Sequence, residues 1–251
     1  MKDILKLRIE VRKAEINEVD KCNINWNLKK TPNRVTFDTD IKEQSIAIVG
    51  YGPSLKDTWE LIRNYDVILT TSGAHNFLIE RGIIPVYHVE CDPRIHKAAF
   101  TKHPHEGVRY LIGSSAHPQI VENLKNNDLW LWNMKVRPDV ALVPSEIEFP
   151  TYGDVGQMAI YVAKALGYRN MDLFGFDYNA VAGEQHAGDH GNPYNQLERM
   201  KCGDRVFWTN DEWIKIMLQF DILLADNPDI KLQITGDGLL SHYLEAKYGS
   251  G

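Results

Sequence analysis

From Gln44 onward the chain alternates short apolar runs with amphipathic stretches, and that rhythm limits its possible folds more than any other feature. The runs fall at residues 45–49, 67–70, 86–89, 109–112, 129–132, 171–174 and 230–234. Each is strand-length and rich in Val, Ile, Leu or aromatics. Helical spacing of apolar residues fills 55–63, 74–81, 119–125 and 155–166; a further amphipathic stretch, 211–225, precedes the last run and 239–247 follows it. Strands that alternate with helices predict an α/β, Rossmann-like protein with a mostly parallel sheet and helices on both faces. In such a sheet a ligand is expected at the carboxyl ends of the strands. Residues 1–43 read as an N-terminal extension, and 44–248 as one Rossmann-like domain.

Several classes are disfavoured. A formal net charge of −6 argues against a dedicated nucleic-acid binder, because phosphate backbones attract basic surfaces. Cys22, Cys91 and Cys202 are far apart and odd in number, so neither a zinc knuckle nor a disulfide framework is indicated. No apolar window approaches the roughly 20 residues of a membrane span, and residues 1–18 lack the apolar run of a signal peptide. The expectation is a cytoplasmic protein. Residues 177–205 carry Gly183, Gly188, Gly191, Pro193 and Gly203 without periodicity, and read as a lid or binding loop or else as a disordered segment.

Within this frame four blocks carry chemistry. Gly50-Tyr51-Gly52-Pro53-Ser54-Leu55 follows the first run directly. Two glycines permit a tight turn and close approach to a bulky anion, and a helix beginning at Pro53 and Ser54 offers N–H groups to phosphate. The alternative is that the glycines serve packing alone. The second block is Glu90-Cys91-Asp92-Pro93, at the end of a strand. If the strand continues through Asp92, Glu90 and Asp92 face one side and can hold Mg²⁺ or Mn²⁺ across donor phosphates. Otherwise Asp92 caps the next helix, with Pro93 at its first position. The third, Thr151-Tyr152-Gly153-Asp154-Val155-Gly156, opens an apolar helix, with Asp154 as a candidate cap and Gly153 allowing a second close approach. The fourth is Gly175-Phe176-Asp177-Tyr178, followed by His186-Ala187-Gly188-Asp189-His190. His186 is placed to take a proton from an acceptor hydroxyl, oriented by Asp177. Metal ligation by His186 and His190 ranks below this, because the glycine between them argues against a helical pair, and polar surface is the remaining alternative.

Taken in order, the blocks resemble the archaeal 6-hydroxymethylpterin pyrophosphokinase-like family, which includes the motility accessory factor proteins. The Gly-x-Gly-Pro-Ser-Leu turn is also similar to the opening of the bacterial lipooligosaccharide sialyltransferases, which use CMP-activated sialic acid. Gly82-Ile83-Ile84-Pro85 leading to Asp92-Pro93 resembles the pyrophosphokinase-like branch, as does His186-Ala187 after the Gly-x-Asp at Gly175 to Asp177. The resemblance spans about residues 45–244 and implies a nucleotide or nucleotide-sugar donor. It puts Gly50, Gly52, Pro53 and Ser54 on the donor phosphates or nucleotide, Asn76 near the nucleotide and Asp92 near phosphate or metal. Gly153 and Gly156 then form a second donor wall.

The combined expectation is sugar transfer from a nucleotide-sugar donor to an acceptor hydroxyl. His186 serves as base, and the amides of Gly52 and Ser54 stabilise the departing phosphate. The alternative is a pyrophosphokinase that uses ATP and Mg²⁺ held by Glu90 and Asp92. A non-catalytic nucleotide-binding module is a third.

Overall fold

The computed structural model describes residues 2–7, 18–135, 143, 146–188 and 196–249. Its centre is an eight-stranded sheet. The strands are β2 (Ile46–Val49), β3 (Ile68–Thr71), β4 (Tyr87–Glu90), β5 (Arg109–Gly113), β6 (Asp128–Lys135), β7 (Glu148–Pro150), β8 (Asn170–Phe174) and β11 (Lys231–Thr235). They run in the order β11-β8-β2-β3-β4-β5-β6-β7 and every pairing is parallel. A second, three-stranded sheet joins β1 (Lys2–Asp3) to the hairpin of β9 (Glu198–Cys202) and β10 (Arg205–Thr209).

The helices are α1 (Glu18–Asn27), α2 (Leu55–Thr58), α3 (Ala74–Ile79), α4 (Pro118–Asn123), α5 (Val155–Ala165), α6 (Asp211–Asp226) and α7 (Leu239–Tyr248). Successive residues of β2 show why both faces of the sheet are covered. Ile46 and Ile48 join a core with Met158, Ile160 and Val162 of α5, Met217 and Phe220 of α6, and Leu240 of α7. Ala47 and Val49 point the other way, against Leu55 of α2 and Ala74, Phe77 and Leu78 of α3. Further along that second face, Tyr110, Ile112 and Leu131 pack on Ile120 and Val121 of α4, with Trp26 of α1 against them. The expected α/β, Rossmann-like architecture is therefore present. Among the described residues no helix is long and apolar enough to cross a membrane.

The sequence reading of 177–205 as one aperiodic loop needs correction. Residues 198–202 are β9, and Gly203-Asp204 is the two-residue turn of the β9–β10 hairpin, with Gly203 at φ +58°. Met200 and Phe207 are opposite each other and buried, so the hairpin carries an apolar inner face. Residues 180–184 are ordered too, through the bridge of Ala180 to Trp208 and the turn from Val181 to Glu184. His190, Asp189, Gly191 and Pro193 lie outside the described residues.

One buried cluster has a consequence for acid stability. His75 and His88 are both fully buried with ring centroids 4.8 Å apart, and the Tyr110 hydroxyl lies 3.0 Å from the His75 Nε2. Burial holds both imidazoles below their ordinary pKa, and each charge would further disfavour a second one nearby. The unfolded chain therefore takes up protons below about pH 6.5 that the folded chain refuses. Stability present above that pH should be lost as pH falls, by about 1.4 kcal/mol per pH unit for each such histidine. Urea unfolding between pH 7.5 and 5 should show this slope, and His88→Phe should remove about one proton from it. An unchanged slope in the variant would assign the acid sensitivity elsewhere.

Candidate functional site

The chain leaves β2 toward β3 and later returns to place β8 on the other side of β2. That reversal opens a crevice at the carboxyl ends of β2 and β8, where an open α/β sheet receives its ligand. The two strand ends lean on each other. The Gly50 amide donates to the Phe174 carbonyl and the Gly52 amide to the Gly175 carbonyl, each at 2.8 Å. Gly175 has φ +66°, and a Cβ there would lie 2.6 Å from the Gly50 carbonyl oxygen. A Cβ on Gly52 would run into the Asp177 carboxylate and lie 2.6 Å from the Gly175 carbonyl.

These contacts revise the expected phosphate cradle. The Ser54 amide donates to Asp177 Oδ2 at 3.0 Å, so a carboxylate of the chain sits where the start of α2 would attract an anion. Both amides assigned to a departing phosphate, those of Gly52 and Ser54, are thus already bonded within the protein. Ser54 itself is helical, makes no side-chain cap, and its hydroxyl lies against Gly236 rather than on the cavity wall.

The cavity has a volume of about 360 Å³, within the usual range for small-molecule sites. Of the residues singled out in the sequence, Gly50, Gly52, Pro53, Asp92, Gly153, Gly156, Asp177 and His186 all line it. Gly153 and Gly156 do so at the start of α5, where Asp154 caps by accepting from the Gln157 amide at 2.9 Å. Gly156 also makes room for Phe176, whose ring would meet a Cβ at 2.8 Å. Asn76, Ser54 and Glu90 are not on the wall. Asn76 instead lies on α3 with its Oδ1 2.7 Å from His75 Nδ1.

The paired-carboxylate expectation is corrected as well. β4 ends at Glu90, so the alternation of side chains does not extend to Asp92. Glu90 is fully buried. Its Oε1 accepts the amides of Cys91 (2.9 Å) and Asp92 (3.1 Å), and its Oε2 accepts the Ser72 hydroxyl (3.2 Å). Burial raises its pKa against the opposing charge of Lys97. Asp92 is gripped by the Arg94 guanidinium, with contacts of 2.5 to 3.1 Å, and also accepts the Arg94 amide at 2.9 Å. Burial pushes the Asp92 carboxyl up, but these hydrogen bonds outweigh it and hold the group below its ordinary value. Asp92 thus closes a local turn and is not the cap of the following helix, which begins at Ile95. Glu90 lies off the cavity wall while Asp92 is on it and paired with Arg94, so the two carboxylates do not face the cavity together. Among the described residues no three His, Cys, Asp or Glu side chains are grouped to hold a metal ion.

His186 reaches the cavity from the segment after β8. Its ring is parallel to that of Tyr51, with centroids 6.1 Å apart, and its edge meets Trp213. Burial, reinforced by the charge of Lys97, pushes its pKa down to about 4, while a hydrogen bond to the Tyr51 carbonyl opposes the shift. That carbonyl also accepts the Ala187 amide at 3.0 Å, which pins the segment to the glycine turn. The Tyr51 carbonyl orients His186. Asp177 is engaged at Ser54 and does not take the orienting role expected of it. Asp177 is 4% exposed, and burial raises its pKa against the Ser54 hydrogen bond.

Sequence reasoning missed Lys97, which is buried on the cavity wall beside Asp92 and Arg94. It also gave no role to Tyr51 or Trp213, both of which line the cavity. The signal for Lys97 lay in Asp92-Pro93-Arg94-Ile95-His96-Lys97, two cations directly after a strand-end carboxylate.

The fold and the cavity define a doubly wound α/β protein with a ligand-sized cavity at its topological switch point. The chain belongs to the 6-hydroxymethylpterin diphosphokinase MptE-like family, which matches residues 22–182. Among solved structures it is similar to a MAf glycosyltransferase from Magnetospirillum magneticum AMB-1 (TM-score 0.66, 16% identity). That alignment covers 92% of this chain and 41% of the other, so the chain spans about two-fifths of that protein's length. A mammalian sialyltransferase aligns with a TM-score of 0.48 and 12% identity over 94% of this chain and 88% of the other. No curated protein matches in sequence.

Proposed function

We propose that this chain is a nucleotide-dependent transferase that moves a sugar from a nucleotide-sugar donor to an acceptor hydroxyl. The observation that carries the reading is the His186 imidazole, stacked on Tyr51 on the wall of a ligand-sized cavity at the switch point. Because His186 donates one ring N–H to the Tyr51 carbonyl, its other nitrogen is left as an acceptor in the neutral ring. That nitrogen takes the acceptor's proton as its oxygen bonds to the sugar, and the sugar–phosphate bond breaks with its electron pair leaving on the phosphate.

The family's description favours a second reading, diphosphate transfer. That chemistry uses a divalent ion across the phosphates, and Glu90 and Asp92 are committed to other partners. Thermal denaturation with CMP, UDP, GDP, ATP and their sugar conjugates, each with EDTA or Mg²⁺, separates the two. A sugar nucleotide at 100 times its Kd should raise Tm by about 5–10 °C, and the shift should survive EDTA. Stabilisation by ATP with Mg²⁺ alone would overturn sugar transfer and support the second reading.

A further inference from the structure

We propose that Lys97 is the cation that holds the donor's phosphate in this cavity. The proposal rests on the reading of the site as a nucleotide-donor site. Its starting point is that the backbone has little left to offer an anion. The Gly52 and Ser54 amides are bonded to Gly175 and Asp177. At the start of α5, Asp154 accepts from Gly156 and Gln157. Asp92, Asp154, Asp177 and Glu212 also make much of the wall acidic, so an entering phosphate needs a side-chain cation.

Two described cations line the cavity, Arg94 and Lys97. Arg94 is half-exposed and spends its guanidinium fork on Asp92. Lys97 is 4% exposed, on the turn of 3-10 helix Ile95–Thr101 that follows β4. Its ammonium lies 5.4 Å from the Phe100 ring centroid and within electrostatic range of Glu90, Asp92, Asp154 and His186. It therefore stands between the strand-end carboxylates, the start of α5 and the proposed base. A donor phosphate at Lys97 would lie beside the imidazole that must reach the bond being broken. The competing account makes Lys97 only the counter-ion of buried Glu90.

The test compares each of CMP, UMP, GMP and AMP with its own nucleoside by calorimetric titration, using the full chain. In the wild type the tightest monophosphate should bind about tenfold to a hundredfold better than its nucleoside, as a charge-assisted contact to phosphate provides. Lys97→Met should erase most of that preference while leaving nucleoside affinity within about threefold, and Lys97→Arg should restore part of it. If Lys97→Met does not fold, Glu90→Gln with Lys97→Met removes the buried pair together, and the same ratio is read in that protein. A variant that keeps the phosphate preference, or loses nucleoside and monophosphate equally, overturns the role of Lys97 and leaves the transferase reading standing. A wild type that binds none of these nucleotides overturns both.

Discussion

A His186→Ala protein is expected to bind donor nearly as well as the wild type and to turn over about 10²–10⁴-fold more slowly, the usual loss when a general base is removed. The pH dependence gives the more specific result. Burial and the charge of Lys97 hold the imidazole down to about 4, so it is unprotonated, and able to act as base, throughout the neutral range. Wild-type rate should stay level as pH falls through the ordinary histidine range near 6.5 and decline only toward pH 4. In the variant that decline should vanish with the base. A wild-type decline centred near 6.5, or a variant with unchanged rate, would remove His186 from the reaction.

Gly52→Val should destabilise the protein itself, and not only weaken ligand binding. The sequence alone predicts a folded variant with weakened nucleotide affinity, because Gly52 is read there as room for phosphate. In the structure that room is occupied by the Asp177 carboxylate and the Gly175 carbonyl. Forcing a branched side chain into a packed site costs about 1–3 kcal/mol, and displacing Asp177 from the buried Ser54 amide adds about 1–3 kcal/mol more. For a chain this long the sum corresponds to a fall in Tm of about 4–24 °C. A double-mutant cycle locates the cause: Gly52→Ala should cost at least about 1 kcal/mol less in an Asp177→Ala background. Independent, additive effects would show that Asp177 is not what fills the space.

The seven strands expected from apolar runs are all present, because a strand buried on both faces reads as a continuous apolar stretch. Short strands at the margin were harder to see. β7 is three residues long, and β9 with β10 alternates buried Met200, Cys202 and Phe207 with polar or exposed neighbours in a glycine-rich region. At the site, the sequence identified the turns that meet but not what they meet. Gly50, Gly52 and Gly175 have the composition of an anion cradle, yet their close approach is to one another, across more than a hundred residues of chain. Asp177 likewise looked like a partner for a nearby histidine, whereas it serves an amide on a distant helix. Local pattern carries no information about such pairings, since it cannot say that β8 will dock beside β2.

That docking has a cost in time during synthesis. β2, wholly buried in the finished sheet, gains β3 within about twenty residues, but its other edge waits for β8. At 5–20 residues per second, the intervening stretch takes about 6–25 s to leave the ribosome. For that interval Ile46, Ala47, Ile48 and Val49 present an apolar strand with open hydrogen-bonding groups, the kind of edge that recruits other chains. The two halves of the ligand cavity are separated by the same delay, so the nascent chain is most vulnerable to aggregation while its binding site does not yet exist.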